Sequence, residues 1–289
     1  MKLERIRIKR VNASEDRAAW AAALADPAWL AGATVLKDEP GSSWVRRARM
    51  QVGGRERDVV VKCRSLNSSF RRIKAALREG QVSRQWRGAE MLRSVHVPAA
   101  KPIVALTAHD GISACEAIVV EFVPGPMLLE LLAHPEPIGG AMVRIQHRVA
   151  AVAGRQIAEM TLGRQRYWNR DHKPSNLIVQ DTSSIAPSIC VVDCVGVREG
   201  SMRLSKAPWC RMFASLYIEP LGCGCQPRRA LCYRVIQQFV IASMARPTKS
   251  AMRRAVRKLW RATRLRVERH GDPRPRVDPF APPRITVGP

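Results

Sequence analysis

The chain has 289 residues, of which 46% are hydrophobic, so it can bury a sizeable core and is too apolar to be a disordered protein. Its formal net charge of +25 indicates an anionic partner, and composition alone leaves membrane headgroups, nucleic acid, acidic glycans and nucleotides open. No run of about 18 apolar residues occurs, and the N-terminal segment lacks the apolar core of a secretory signal. We therefore expect a cytoplasmic protein, peripheral at the inner face of the cytoplasmic membrane where its charge meets anionic lipid.

Residues 1–33 are interpreted as an N-terminal extension that packs on the first part of the fold. Within it, Ser14 or Asp16 is placed to cap a short helix, Arg17 to Leu24, which is rich in alanine and tryptophan. From Ala33 the pattern becomes typical of strands, because short apolar runs are separated by turn signals. Three strands are predicted, and they cover Thr34 to Leu36, Trp44 to Val52 and Asp58 to Cys63.

This group of strands carries two candidate binding features. Gly41, Ser42 and Ser43 form a small-residue turn whose backbone N–H groups are able to lie over phosphates. Lys62 follows three consecutive valines on a strand, where a lysine is costly unless it pairs with a phosphate or a carboxylate. The alternative interpretation is an edge lysine whose ammonium group reaches water.

Helical and strand patterns alternate in the following part of the chain. A strongly basic helical segment is predicted over residues 70–95, and it ends before Pro98. A buried strand, Ala117 to Val123, then runs into a Pro-Gly break. Apolar residues recur at helical spacing from Met142 to Met160, which predicts a long core helix.

The most informative stretch covers residues 169–176, lies before an apolar run and reads Asn-Arg-Asp-His-Lys-Pro-Ser-Asn. It places Lys173 two residues and Asn176 five residues after Asp171, and a second acid, Asp193, ends a later apolar run. Phosphoryl transfer needs this set of groups. One carboxylate accepts the proton of the attacking hydroxyl, while an amide and a second carboxylate hold the metal ion on the ATP phosphates. The alternative is a polar loop that only joins two strands.

The loop resembles the catalytic loop of the protein-kinase-like superfamily, H-R-D-x-K-x-x-N, with Asn169 in the place of the histidine. Arg84 to Leu92, followed by Val97 to Pro102, is similar to a helix and its P-x-x-x-P exit in the lipopolysaccharide kinase (Kdo/WaaP) family. The resemblance implies an α+β, two-lobed protein-kinase-like fold. It divides the chain into a small β-rich N-lobe at 34–125, a larger and mainly helical C-lobe at 126–245, and a basic, proline-rich C-terminal segment at 246–289.

The resemblance also implies an ATP-dependent phosphotransferase that uses ATP and Mg²⁺. Asp171 would orient or deprotonate the acceptor hydroxyl, and Lys173 would neutralise the transferred phosphoryl group. Asn176 and Asp193 would hold Mg²⁺, and Lys62 would bind the α- and β-phosphates.

Further nucleotide contacts are implied outside the loop. Glu90 would pair with Lys62, with Glu79 as the second choice, and the small-residue turn would cover the phosphates. Backbone groups from Glu121 to Val123 would bind the adenine, the alternative being a plain core strand. After Asp193 the glycine comes one residue later than in the D-F-G of protein kinases, a departure that lipopolysaccharide kinases share.

The acceptor implied by the resemblance is a hydroxyl of a lipopolysaccharide-core sugar. A protein acceptor is the alternative, because Lys173 two residues after Asp171 is typical of serine/threonine protein kinases. A basic, membrane-associated pseudokinase scaffold is the third interpretation. It is disfavoured because all four expected site residues are present: Lys62, Asp171, Asn176 and Asp193. Nucleic acid is not expected as a partner, because the charge is spread along the chain and no RNA-binding signature occurs.

Residues 246–269 form a basic segment in which Leu259 and Trp260 lie among arginines and lysines. One interpretation is a solvated helix face. The other is attachment to an anionic lipid surface or to an anionic substrate.

Overall fold

The computed structural model describes residues 3–39, 41–77, 80–111, 113–132, 139–184, 186–200, 207–246, 248–273 and 284–285. The chain divides into two compact units, each assembled from segments that are distant in sequence. The first unit comprises residues 1–87, 100–122 and 280–289, and the second comprises residues 88–99 and 123–279.

An antiparallel sheet is the basis of the first unit. Its strands are β1 (Leu3–Val11), β2 (Thr34–Glu39), β3 (Ser43–Val52), β4 (Arg55–Ser65), β5 (Pro102–Asp110) and β6 (Ser113–Glu121). They are arranged in the order β1-β5-β6-β4-β3-β2, and a short strand at Arg284–Ile285 pairs with β2. The first four helices are α1 (Arg17–Ala25), α2 (Ala28–Ala31), α3 (Ser69–Ala76) and α4 (Gln81–Ser94).

The core of the first unit lies on one face of this sheet. Along β4, Val59, Val61 and Cys63 are buried in that core together with Trp20 of α1. Side chains alternate between the two faces of a strand, so Lys62 lies on the opposite face. The run of valines that singled out Lys62 in the sequence therefore holds it on a regular, well-buried strand.

The N-terminal stretch contributes both a strand and a helix. The helix predicted from the sequence is α1, which begins at Arg17 after Asp16, whose carboxylate accepts the N–H of Ala18 at 2.8 Å. Strand β1 was not predicted. Its pairing with β5 shifts register twice, so its buried residues, Leu3 and Ile8, do not follow the two-residue alternation of a regular strand.

The basic helical segment predicted over residues 70–95 consists of two helices, α3 and α4. The break between them is linked to Glu116 of β6, whose buried carboxylate accepts the N–H of Gln81 at 2.9 Å and so caps α4. Gly80 makes room for that carboxylate, because a Cβ at this position would collide with it. Burial raises the pKa of Glu116, while the N–H groups of Gln81 and Val82 act against that increase.

The second unit is mainly helical and contains two small antiparallel sheets of two strands each. Its helices are α5 (Leu128–Leu132), α6 (Gly140–Leu162), α7 (Ala207–Gly222), α8 (Arg229–Ser243) and α9 (Lys249–Glu268). Strand β7 (Tyr167–Asn169) pairs with β10 (Val197–Glu199), and β8 (Leu177–Gln180) pairs with β9 (Ser188–Val191). Helices α6 and α8 pack closely at Gly154, where a Cβ would collide with the carbonyl oxygen of Val235.

Helix α9 belongs to the core of the second unit. Val256, Leu259 and Thr263 are buried, and the helix packs on α7 and α8. Its basic residues Arg253 and Arg257 lie on the exposed side. In the part of the chain that the structure describes, no helix is both long and apolar enough to cross a membrane.

Candidate active site

The predicted catalytic loop joins the two small sheets of the second unit, because it runs from β7 to β8. Asn169, at its start, is fully buried and connects two segments. Its side-chain Oδ1 accepts the N–H of Asp171 at 3.0 Å, and its Nδ2 donates to the carbonyl oxygen of Asp193 at 3.2 Å. One amide side chain therefore links the backbone of the predicted catalytic acid, Asp171, to that of the predicted metal ligand, Asp193.

Asn176 provides a second tie within the same loop. Its Nδ2 donates to the carbonyl oxygen of Asp171 at 3.0 Å, which closes the loop on itself. Its own carbonyl accepts the N–H of Val192, directly before Asp193, at 2.9 Å. The structure thus brings the backbones of Asp171, Asn176 and Asp193 together in one hydrogen-bonded arrangement.

Gly196 allows the segment after Asp193 to lie against the loop. A Cβ on Gly196 would be 2.5 Å from Oδ1 of Asn169 and 2.9 Å from the backbone nitrogen of Asp171, closer than a real Cβ tolerates. The carbonyl of Gly196 accepts the N–H of Arg170 at 3.0 Å, and Oδ1 of Asp193 accepts the N–H of Val195 at 3.1 Å. Gly196, which comes one residue later than the glycine of D-F-G, is therefore required for the close packing of this segment against the loop.

Helix α4 contacts the same segment through Gly88. A Cβ on Gly88 would collide with the carbonyl oxygen of Cys194, which is fully buried. Only glycine lets this helix approach the backbone beside Asp193 so closely. This close approach fixes the position of Glu90, two residues along the helix, relative to the Asp193 segment.

Lys173 and Ser175 are held by a buried acid that the sequence analysis did not identify. Glu219, on α7, accepts the backbone N–H of Ser175 at 2.7 Å and its hydroxyl at 2.6 Å. Nζ of Lys173 lies 3.6 Å from Oε1 of the same carboxylate. The only signal in the sequence was a single acid inside a mainly apolar helical segment, before Pro220.

His172 follows Asp171 but points into the protein, because its side chain is fully buried. Neither ring nitrogen has a hydrogen-bond partner among the described residues. Burial lowers the pKa of His172 to about 4, so the ring is neutral near pH 7. The residue is a packing element of the loop and does not face a substrate.

The predicted Mg²⁺ ligands, Asn176 and Asp193, each keep one side-chain oxygen that accepts no hydrogen bond from a described residue. Nδ2 of Asn176 and Oδ1 of Asp193 are engaged within the loops, while no described residue donates to Oδ1 of Asn176 or Oδ2 of Asp193. Oδ1 of Asn176 and Oδ2 of Asp193 are therefore available to a hard cation, and oxygen ligands of this kind suit Mg²⁺. Among the described residues, no group of three or more His, Cys, Asp or Glu side chains could hold a metal. A Mg²⁺ held by few protein oxygens and by nucleotide phosphates is consistent with this set.

The proposed nucleotide lysine and its partner belong to different units. Lys62 lies on β4 in the first unit, and Glu90 is an exposed residue of α4 in the second. Their pairing stays a prediction. Glu79, the second choice, lies outside the described residues.

The turn at Gly41, Ser42 and Ser43 is well ordered by its own hydrogen bonds. Gly41 has a φ of +70°, the N–H of Ser42 donates to the carbonyl of Glu39 at 2.9 Å, and the hydroxyl of Ser43 donates to the Glu39 carboxylate at 2.9 Å. The pKa of Glu39 is lowered mainly by Lys37 and Ser43. These internal bonds occupy two donors that a phosphate would use, and the phosphate-covering role of the turn stays a prediction.

The predicted adenine-binding segment lies at the end of β6. The N–H of Glu121 donates to the carbonyl of Lys101 at 3.0 Å, and that of Phe122 donates to the carbonyl of Asp58 at 3.1 Å. Both donors are therefore used within the first unit. Val123 follows as a buried residue, and its contact with adenine stays a prediction.

Comparison with known proteins shows the fold. No family model matches the chain, and no curated protein matches it in sequence. Among solved structures, it is similar to WaaP in complex with acyl carrier protein, with a TM-score of 0.54 and 15% sequence identity. The match covers 91% of this chain and 98% of that chain. The α+β, kinase-like fold predicted from the sequence is confirmed, and so is the resemblance to WaaP.

Proposed function

We propose that this chain is an ATP-dependent kinase that transfers the γ-phosphoryl group to a hydroxyl of a lipopolysaccharide-core sugar. The observation that carries the proposal is the pair of amide bridges in the loop. Asn169 and Asn176 fix the backbones around Asp171 and Asp193 through bonds of 3.0 to 3.2 Å. Phosphoryl transfer depends on positioning and electrostatic stabilisation, and such bridges provide positioning.

Each residue of the loop has a distinct proposed role. The carboxylate of Asp171 accepts the proton of the acceptor hydroxyl, and its side chain is 40% exposed, which leaves it open to a substrate. Lys173 donates to the transferred phosphoryl group, and Glu219 holds it near the loop. Asn176 and Asp193 would hold Mg²⁺, which neutralises charge on the ATP phosphates when bound. Lys62 is the proposed ligand of the α- and β-phosphates.

A protein acceptor is the alternative that a specific residue favours. Lys173 at the second position after Asp171 is typical of serine/threonine protein kinases. The resemblance of Arg84 to Leu92 and Val97 to Pro102 to the lipopolysaccharide kinase family favours a glycan acceptor instead. A pseudokinase scaffold would need none of the bonds that orient Asp171.

Contact with an anionic membrane is also proposed, and each unit carries a surface that supports it. In the first unit, α3 exposes Phe70, Ile73 and Leu77 by 65%, 57% and 67%, at a spacing that places them on one side of the helix. Arg71 and Arg72 lie between them, which is the composition of an interfacial amphipathic helix. In the second unit, the exposed side of α9 is basic.

The test is phosphoryl transfer from γ-labelled ATP to two acceptors offered separately. The first is purified lipopolysaccharide with an exposed core, and the second is the protein fraction of a bacterial lysate. Label in the lipopolysaccharide supports the proposal. Label in protein alone establishes the protein-kinase alternative, and absence of label in both, with normal folding, supports the scaffold.

A further inference from the structure

Positive charge is concentrated beside the proposed catalytic acid. Arg170 directly precedes Asp171, and its Nη2 lies 3.5 Å from Oδ2 of that carboxylate. Its backbone N–H donates to the carbonyl of Gly196 at 3.0 Å, which fixes its position in the loop. Two further arginines come from helices of the same unit. They are Arg211 on α7 and Arg266 in the last turn of α9.

Arg211 is held by an aromatic ring. Its guanidinium carbon lies 5.6 Å from the ring centroid of Trp168, the residue of β7 that precedes Asn169. A cation at this distance from a ring face is attracted to it. Because no carboxylate of a described residue pairs with the guanidinium, its N–H donors are available to a ligand. In the part of the chain that the structure describes, neither Arg211 nor Arg266 forms an ion pair.

Arg266 and Arg170 both act electrostatically on Arg211. The pKa of Arg211 is lowered, first by burial and then by the positive charges of Arg266 and Arg170, while the carboxylate of Asp171 acts in the opposite direction. Glu268, which follows Arg266 on α9, pairs instead with Arg264 at 2.7 Å. Arg170 and Arg211 therefore both act on the Asp171 carboxylate, while Arg266 adds a further positive charge beside Arg211, so the cluster carries more positive than negative charge.

We propose that Arg170, Arg211 and Arg266 form a subsite for an anionic group of the acceptor, a phosphate or a carboxylate. The proposal rests on the proposed function, because it places this group beside the hydroxyl that Asp171 activates. Arginine presents a planar fork of donors that matches both oxyanions. A bound anion relieves the mutual repulsion of the cluster and leaves Asp171 free to accept a proton. The acceptor is therefore a negatively charged sugar unit rather than a neutral one.

The test is direct binding of three probes, namely glucose, glucose 6-phosphate and glucuronate, measured by NMR titration. The proteins are the wild type, Arg211→Gln, Arg266→Gln and the control Arg155→Gln. Arg155 lies on the exposed side of α6 in the same unit, so its replacement removes the same charge from a different place. We expect the wild type and the control to bind at least one anionic sugar about tenfold more tightly than glucose. Both cluster variants are expected to lose this advantage.

Two results would overturn the subsite. One is equal binding of all three sugars to the wild type, and the other is an equal loss of affinity in Arg155→Gln and Arg211→Gln. The sugar that retains the preference identifies the group as phosphate or carboxylate. Because binding is measured without transfer, a protein that binds anionic sugars but transfers no phosphoryl group overturns the kinase proposal alone. A protein that labels lipopolysaccharide yet shows no preference among the sugars overturns the subsite alone.

Discussion

Asn169 determines the local geometry around both proposed catalytic acids. It is fully buried, and its amide supplies an acceptor to one loop and a donor to the other. The sequence marked this position only as a departure from the histidine of the kinase pattern. Its partners were not predictable, because the carbonyl of Asp193 is 24 residues away and no local pattern specifies a bond over that distance.

Replacement of Asn169 by aspartate tests the two hydrogen bonds by which this side chain bridges Asp171 and Asp193, because the two side chains have almost the same shape. The acceptor for the N–H of Asp171 remains, while the donor to the carbonyl of Asp193 is lost and a buried charge is added. We expect a loss of stability of about 1–3 kcal/mol and a loss of phosphoryl transfer of about tenfold or more. The measurements are urea unfolding and steady-state transfer.

The matched control is Asn12→Asp. The Asn12 side chain also donates to a carbonyl, that of Pro102 at 3.2 Å, and accepts an N–H, that of Ser14 at 3.3 Å, but it is only half-buried. We expect little effect on transfer. Equal losses of transfer in the two variants would show that the bridge at Asn169 has no special role.

His172 makes folding sensitive to acid. Its pKa is about 4 in the folded protein and 6.5 when exposed, so the unfolded chain binds a proton first as the pH falls. The stability that the neutral ring provides is complete above pH 6.5 and is lost as the pH falls toward 4. Because each pKa unit corresponds to about 1.4 kcal/mol, the loss through this residue reaches about 3 kcal/mol.

His172→Leu should remove this contribution and should also stabilise the protein near pH 7, because two unpaired ring nitrogens leave the core. The measurement is the free energy of unfolding at pH 7 and at pH 4.5. His147→Leu, at a half-exposed position, is the control. An unchanged pH dependence in His172→Leu would contradict this account.

At the scale of elements, the position of α4 depends on two glycines and one acid. Glu116 caps its first turn where Gly80 leaves room, and Gly88 brings it against the carbonyl of Cys194. The sequence predicted helical structure here from its apolar spacing. It did not predict the break or the close contact, because both depend on residues brought near by tertiary structure.

Gly88→Ala is expected to destabilise the protein, although alanine normally stabilises a helix interior by about 1 kcal/mol relative to glycine. The added Cβ would collide with backbone, which cannot rotate away. Gly140→Ala in α6 is the control, since the nearest atom to its Cβ is Nη1 of Arg144 at 3.5 Å. Thermal unfolding of both variants is the measurement. A higher melting temperature for Gly88→Ala would contradict the close packing.

Glu219 shows a further limit of the sequence. This acid lies on α7, among mainly apolar residues. The role of its acid was not visible, because the bonds to Ser175 and Lys173 span more than 40 residues of chain. Local motifs therefore identified the groups of the loop, while the residues that support them were identified only in the folded structure.

The whole chain carries a net charge of +25, and part of this charge lies on the exposed side of α9, the surface that we propose for membrane contact. Replacing Arg253, Arg254 and Arg257 on the exposed side of α9 by glutamine should weaken binding to anionic vesicles. Binding of the wild type should fall as salt rises, because charges are screened over about 8–10 Å at 0.1–0.15 M salt. Truncation is unsuitable here, since α9 also contributes Val256 and Leu259 to the core.

A variant with the same net charge provides the control. Arg49, Arg55 and Arg87 are exposed residues outside α9, and their replacement by glutamine removes three positive charges. We expect vesicle binding to fall more in the α9 variant, as measured by co-sedimentation. Equal binding of the two variants, or equal binding of the wild type to neutral and anionic vesicles, would exclude α9 as the contact surface.

The central claim is that Asp171 and Asp193 perform separate steps of phosphoryl transfer from ATP. Asp171 is partly exposed on the loop, whereas Asp193 follows a buried strand and keeps one oxygen for a cation. Asp171→Asn should therefore bind nucleotide normally with Mg²⁺ and lose about 10²–10⁴-fold in transfer. Asp193→Asn should lose Mg²⁺-dependent nucleotide binding.

The most direct measurement is nucleotide affinity with and without Mg²⁺, made beside transfer of label from γ-labelled ATP, on the wild type and both variants. The account predicts that Mg²⁺ strengthens nucleotide binding in the wild type and in Asp171→Asn but not in Asp193→Asn, and that only the wild type transfers label efficiently. Transfer at the wild-type rate by both variants would contradict it.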